Sequence, residues 1–588
     1  MFTKILVANR GEIAVRILRT LRELEIGTVA VYSEVDRSRL HVVRADEAYL
    51  VGPGPAAESY LRGDRIIDVA LRAGAEAIHP GYGFLAENAA FARQVEAAGL
   101  VWIGPPPAAI EAMGSKIAAR ERMCEAGVPI IPGTTEPAET RADALAAAQE
   151  IGFPVAIKAS AGGGGKGLRV ARSVDEVERA YDTARREGEA YFADSAVYLE
   201  RYLDDPRHVE VQVLADDHGN VVHLGERDCT IQRRHQKLVE ETPSPAVDDV
   251  LRSRIGAIAI DAARAVGYRS AGTVEGLLAP DGSYYFLEMN TRVQVEHTVT
   301  EEVTGIDIVR EQVLIAAGEP ISVGQEDVVM RGHALECRIN AEDVTRGFLP
   351  SPGRITAYRE PAGIGVRVDS GVEAGDEISE LYDPMIAKLI VHDVDRESAR
   401  RRMLRALGEF VIEGPSTLLG FHRALLESAC FIEGRTCHGV VESEELAQRA
   451  QDLERLSHSQ TSVATSLDGA TGTRQQLIAV EIDGRRHEVR VHTAEPPWAE
   501  LARRHKERSK GLAGAESGAV VSPMQGMVLA VSVADGDVVT AGGLICVVEA
   551  MKMENEIVSH RDGVVSSLGV SAGERVGNGQ LICVVNEA

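Results

Sequence analysis

The chain has 588 residues, with 63 Lys and Arg against 89 Asp and Glu, a formal net charge of −26, and 7 Cys. That length predicts about four domains at roughly 150 residues each. The acidic balance argues against a nucleic-acid or anionic-membrane binder, and no run approaches the ~18 apolar residues of a membrane helix.

Cys124, Cys229, Cys337, Cys430, Cys437, Cys546 and Cys583 are scattered without metal-binding spacing. Neither a disulfide nor a zinc framework is expected, and a reducing cytoplasm fits. The N-terminus runs straight into a strand-like segment without a cleavable signal pattern. Lys4 to Ala8 reads as a buried strand and Asn9 to Glu12 as a turn. Ile13, Ile17, Leu21 and Leu24 mark a helix, and Thr28 to Tyr32 the next strand. This βαβ opening predicts an α/β domain with a mostly parallel sheet. Pro105-Pro-Pro107 marks its end near residue 110, and His79-Pro-Gly-Tyr82-Gly83 reads as a tight turn after a strand.

Lys158 ends an apolar run, and Gly162-Gly163-Gly164-Gly165-Lys166-Gly167 follows. Such a loop lets backbone N–H groups approach phosphate oxygens. It contains GxGxxG, but the strand-like Leu168 to Ala171 follows in place of the helix a dinucleotide site requires. Gly167 after Lys166 also breaks the Walker pattern. The segment is either a flap over nucleotide phosphates or simply a flexible loop.

His208-Val-Glu210-Val-Gln212 alternates, and Gln232-Arg-Arg-His235-Gln-Lys237 is a cationic stretch after Glu226-Arg-Asp228. The stretch reads equally as a solvated face or a phosphate-facing one. Glu288-Met-Asn290-Thr-Arg292-Val-Gln294-Val295-Glu296 alternates for longer. In an extended strand, Glu288, Asn290, Arg292, Gln294 and Glu296 would share one face. Glu288 and Asn290 offer hard oxygens suited to Mg²⁺. Glu275, on the other arm of a hairpin turning at Pro280-Asp-Gly282, is the natural second carboxylate. Arg292 can clamp an oxyanion, and Glu296 can act as a base.

Residues 446–517 read as a linker. Within it, Gln476 to Ile482 and Arg485 to Val491 flank Asp483-Gly484, a hairpin signal that is either a docking element or an unattached hairpin. From about Gly518 the chain repeats itself at one constant offset. Ser522 to Gly526 aligns with Ser559 to Gly563, and Leu544 to Val548 with Leu581 to Val585. Two β-rich halves predict a small all-β domain with quasi-twofold symmetry, and Glu549-Ala-Met-Lys552-Met553 forms the turn between them.

That turn resembles the attachment motif of biotin carboxyl carrier domains, in which Lys552 would carry biotin. A lipoyl carrier shares the fold, but Met551 and Met553 favour biotin. Residues 1 to about 445 resemble biotin carboxylase, an ATP-grasp enzyme. The motifs are Asn9 to Glu12, His79 to Leu85, the Gly-rich loop, Arg233 to Lys237, Glu288 to His297 and Glu336 to Glu342. The order of modules looks like the α subunit of an actinobacterial-type acyl-CoA carboxylase.

The resemblance implies an N-terminal domain over 1–114 and an ATP-grasp domain over 115–330 with a lid at about 130–203. A C-terminal lobe would follow over 331–445, and the carrier over 518–588. It implies covalent biotin, ATP and Mg²⁺ or Mn²⁺ as cofactors. ATP and bicarbonate would form carboxyphosphate, whose CO₂ biotin captures. Lys116, Lys158 and Gly162 to Gly167 would hold phosphates. Glu200 and Leu203 would meet adenine, with His208, Gln232 and His235 lining the pocket. Glu275 and Glu288 would bind the metal, with Asn290 assisting.

Lys237, Arg292, Gln294 and the Val295 backbone would grip bicarbonate, and Glu296 would deprotonate it. Arg338 would stabilise the biotin enolate, and Tyr82 would line the biotin site. The implied partners are a biotin protein ligase and a carboxyltransferase β subunit, in a multi-copy α/β complex with self-associating carboxylase units. The competing readings are an ATP-grasp ligase with a lipoyl-like carrier and a non-catalytic scaffold. The complete Glu275, Glu288, Asn290, Arg292 and Glu296 set argues against the scaffold.

Overall fold

The computed structural model describes residues 1–114, 116–134, 136–159, 168–192, 196–234, 236–461, 466–467, 473–482, 485–494, 518–550 and 553–586. The N-terminal strand Lys4–Val7 lies at the centre of a five-stranded parallel sheet, between Gly27–Ser33 and Ala77–His79. Helix Gly11–Glu23 follows it and buries Ile13, Ile17 and Leu21, three of the four positions the periodicity marked, while Leu24 is half-buried at its C-cap. A parallel sheet is covered on both faces, which explains the unbroken apolar run of its first strand.

An eight-stranded antiparallel sheet forms the middle of the chain. Its order is Tyr284–Asn290, Ser270–Leu278, Arg207–Ala215, Val221–Arg233, Gln236–Thr242, His333–Asn340, Met385–Asp393 and Val366–Ser370. The expected hairpin is present, with Asp281 Oδ1 accepting from Ser283 N at 2.9 Å and Gly282 at φ +81°. The sheet runs without a break past residue 330, because Gln236–Thr242 pairs directly with His333–Asn340. Above it, strands Leu168–Ala171, Val155–Ala159 and Val197–Arg201 and helices Arg141–Ile151 and Val174–Phe192 close around a core of their own. Thr140 and Asp143 cap the first of these helices reciprocally.

Two expectations change. Glu444–Thr461 is a helix that crosses 445/446, and it buries Leu446, Ala450 and Leu453 in the core of the C-terminal lobe. Apolar residues at helical spacing tie the start of the supposed linker to that lobe. Cys430 and Cys437 form a disulfide with Cα atoms 5.6 Å apart. Helix Ala429–Ile432 ends there, and the turn at Gly434, φ +66°, folds the chain back on itself. The other cysteines described are free thiols.

Strands Thr473–Ile482 and Arg485–Ala494 pair antiparallel with Ile482 opposite Arg485, while Asp483 and Gly484 lie outside the described residues. The C-terminal domain is two four-stranded sheets around one apolar core. Its halves repeat in detail. Ser522 Oγ donates to Met524 O at 2.5 Å, and Ser559 Oγ donates to Arg561 O at 2.6 Å. No helix among the described residues is long and apolar enough to cross a membrane.

Candidate active site

Five neighbouring strands of the large sheet bring a set of charged side chains together. Lys237, at the start of Gln236–Thr242, places its ammonium among three carboxylates: Glu210 at 2.5 Å, Glu296 at 2.6 Å and Glu275 at 3.0 Å. Arg338, one strand further on, reaches Glu240 at 2.6 Å and Glu296 at 2.9 Å. Arg227, fully buried, donates to Glu210, Gln212, Thr273, Gln294 and Thr300 at 2.6 to 3.1 Å. His208 Nε2 lies 2.7 Å from Glu275. Glu210, Glu240, Glu275 and Glu296 thus face Lys237, Arg227, Arg338 and His208. This near balance is what lets so much charge remain buried.

Burial works against the charge on Glu296, but Lys237, Arg338 and Arg227 outweigh it and hold the carboxyl well below its usual range. Glu275 is lowered in the same way, chiefly by Lys237 and His208 against its own burial. Burial opposes the charge on Lys237 too, and its carboxylate partners still keep it well above the ordinary lysine value. His208 is desolvated, yet Glu275 raises it.

The segment after Glu288 departs from the expected extended strand. Strand Tyr284–Asn290 stops at Asn290, and Glu296 immediately precedes helix His297–Thr304. The chain leaves the ladder because Glu87 takes it over. Thr291 N donates to Glu87 Oε1 at 3.1 Å, and Arg292 Nε donates to Glu87 Oε2 at 3.0 Å. The polar set converges nonetheless. Gln294 Nε2 donates to Glu275 at 2.6 Å, and Asn290 Nδ2 donates to the same oxygen at 2.7 Å. Arg292 also reaches Asn290 Oδ1 at 3.0 Å. The Val295 carbonyl accepts from the buried Lys388 ammonium at 2.9 Å.

Glu275 and Glu288 are direct partners across the hairpin, so both carboxylates rise from the same face. Two adjacent hard-oxygen donors, one of them held ionised, fit Mg²⁺ bound by carboxylates and substrate phosphates. Lys158, on the middle strand of the lid, pairs with the Glu200 carboxylate. Gln232 is the strand partner of Lys237, and its amide donates to Cys229 O at 2.8 Å. Leu203 is half-buried just after Val197–Arg201. Tyr82 hydrogen-bonds Glu12. Lys116 opens helix Lys116–Glu125. Gly162 to Gly167, His235 and Lys552 lie outside the described residues.

Glu87, Arg227, Glu240 and Lys388 were not singled out from sequence. Arg227 does sit in the noted Glu226-Arg-Asp228 run, and Glu210 in the alternating His208 to Gln212. Nothing local to Glu87 or Lys388 points to the site.

Four family models match successive parts of the chain. The biotin carboxylase N-terminal domain matches residues 1–110, and the ATP-binding domain of the carbamoyl-phosphate synthase L chain matches 115–323. The biotin carboxylase C-terminal domain matches 336–443, and the biotin-requiring enzyme domain 518–585. The chain is 47% identical to a biotin-dependent acyl-coenzyme A carboxylase alpha3 subunit of Mycobacterium leprae over 94% of each chain. It is 54% identical to biotin carboxylase 1 of Bacillus subtilis over 74% of this chain and 97% of that one. The biotin carboxylase domain of the 2-oxoglutarate carboxylase of Hydrogenobacter thermophilus, solved with MgADP and bicarbonate, superposes with a TM-score of 0.69. It is 48% identical, over 75% of this chain and 99% of that one. With an ATP-grasp core, the charged cluster on its sheet and a biotin-requiring domain behind it, the chain belongs to the biotin carboxylase family.

Proposed function

We propose that the chain is the α subunit of a biotin-dependent acyl-CoA carboxylase. It would carboxylate biotin on its own Lys552 and supply a separate carboxyltransferase that acts on acetyl-CoA or propionyl-CoA. The observation that carries the carboxylation step is the shared position of Glu296, held between Lys237 and Arg338. Likeness over 94% of the chain, carrier included, to the α subunit of an acyl-CoA carboxylase supports the acyl-CoA assignment.

In this reading Lys116, Lys158, Gly162 to Gly167 and Lys166 hold the phosphates. Glu200, Leu203, His208, Gln232 and His235 line the nucleotide pocket. Glu275 and Glu288 would hold Mg²⁺, which would supply positive charge for the oxygens of the transferring phosphoryl group. Lys237, Arg292, Gln294 and the Val295 N–H grip bicarbonate. A bicarbonate oxygen attacks the γ-phosphorus of ATP, ADP departs, and Glu296 takes the bicarbonate proton.

Lys237, Arg338 and Arg227 keep the proton affinity of Glu296 low. Lys237 holds that proton affinity down until it turns to the oxygens of bicarbonate, and losing that partner raises the basicity of Glu296. Carboxyphosphate would then break into CO₂ and phosphate, and the phosphate would take the biotin N1 proton. N1 would bond to CO₂ while Arg338 faces the biotin oxygen that gains charge, with Tyr82 beside the ring. A biotin protein ligase would load Lys552, and carboxylase units would self-associate as in the dimeric relative.

The test is co-purification with a candidate carboxyltransferase, followed by ATP- and bicarbonate-dependent assays on acetyl-, propionyl- and butyryl-CoA and on pyruvate. Carboxylation of a short acyl-CoA is expected. Activity on pyruvate alone would replace the acyl-CoA assignment.

A further inference from the structure

The two-residue strands Glu342–Asp343 and Leu349–Pro350 pair to form a small hairpin on the C-terminal lobe. Phe348 anchors it inward, its ring 5.1 Å from that of Phe421. Arg233 lies over the outer face of Phe348 at 4.4 Å and donates to Gly347 O at 2.8 Å. Arg233 follows Gln232, whose strand partner is Lys237, so the hairpin is braced against the strands that carry the active site.

Two further side chains of the hairpin face the carrier domain. Arg346 donates to Pro523 O at 2.7 Å, and Leu349 packs on the carrier's apolar core. Pro523 belongs to the end of the carrier that bears the attachment turn. Met527 pairs with Glu549, and a Cβ on Gly526 would lie 2.4 Å from Glu549 O.

We propose that the hairpin Glu342–Pro350 is the landing surface for the chain's own carrier, and that Arg346 and Leu349 turn the Lys552 end of that domain toward the carboxylase site. This rests on the carboxylase-and-carrier reading above and adds the surface through which delivery occurs. Neither residue belongs to the nucleotide or bicarbonate machinery, so their loss should affect only tethered biotin.

The experiment uses full-length biotinylated protein bearing Arg346→Ala or Leu349→Ala. Two rates are measured with labelled bicarbonate and ATP: labelling of the protein's own biotin, and carboxylation of saturating free biotin. Each variant is expected to slow the first by about five-fold or more, the scale of losing one charged hydrogen bond or apolar contact. The second should remain within about two-fold of the unaltered protein. An unchanged first rate in both variants would overturn the proposal, as would an equal fall in both rates. Failure of the unaltered protein to carboxylate free biotin would instead overturn the underlying carboxylase reading.

Discussion

Lys237 and Glu296 meet at 2.6 Å inside the large sheet, with Arg338 on the other oxygen of the same carboxylate at 2.9 Å. The base proposed for bicarbonate is therefore kept ionised by one cation proposed to grip bicarbonate and another proposed to face biotin. Replacing Glu296 with Gln preserves shape and removes the proton acceptor. Bicarbonate-dependent turnover should fall by roughly 10²-fold or more, while nucleotide affinity measured by calorimetry changes little. Near-normal turnover would remove Glu296 from the role.

Arg292 owes its placement to Glu87, which also takes the Thr291 N–H. Glu87→Ala should release both and let the arginine wander. The expected result is a KM for bicarbonate raised by about ten-fold with kcat less affected. An unchanged KM would show that Arg292 is positioned without Glu87.

Arg227 never reaches solvent and donates five hydrogen bonds within the site. Arg227→Met fills similar volume but leaves Glu210 buried beside a single remaining cation, Lys237. A loss of about 3–5 kcal/mol is expected, read as a lower midpoint in urea with an unchanged slope. A midpoint like that of the unaltered protein would contradict it.

Glu12 lies beneath Tyr82 beside Lys388. Burial pushes its carboxyl up to about 7 from 4.5, with Lys388 pulling the other way. A carboxyl raised on folding favours the native state while protonated. Its contribution is complete below about pH 4.5 and disappears as pH rises through about 7. Glu12→Gln should abolish this component, on the order of 3 kcal/mol. Thermal midpoints of the variant and the unaltered protein should then diverge across that window, the variant being relatively more stable at pH 8. Parallel profiles would refute the assignment.

Lys552→Ala should end biotinylation, seen on a streptavidin blot, and with it any carboxylation of an acyl-CoA. Carboxylation of added free biotin should persist, because the site on the large sheet is untouched. Joint loss of both activities would argue against two separable modules.

Much of the architecture was legible in residue order. The βαβ opening, the Asp281-Gly282 hairpin that sets Glu275 opposite Glu288, and the repeat around Lys552 all follow from rules acting over a few residues. Chemical type was legible too, since acid, amide and cation recur from Glu288 to Glu296. Local pattern misjudged the shape of that segment. Alternation predicts a strand, but Glu87, distant in sequence, draws Thr291 and Arg292 out of the ladder.

The pairing of the charges required the tertiary structure. Glu296 meets Arg338, and Glu12 meets Lys388, only because Gln236–Thr242 lies beside His333–Asn340 and that strand beside Met385–Asp393. The sequence by itself supplied the candidate groups for the chemistry and the candidate lysine for biotin. Which cation neutralises which carboxylate was decided by the order of strands in one sheet. Buried charges choose partners by distance in space, and residue order does not encode that distance.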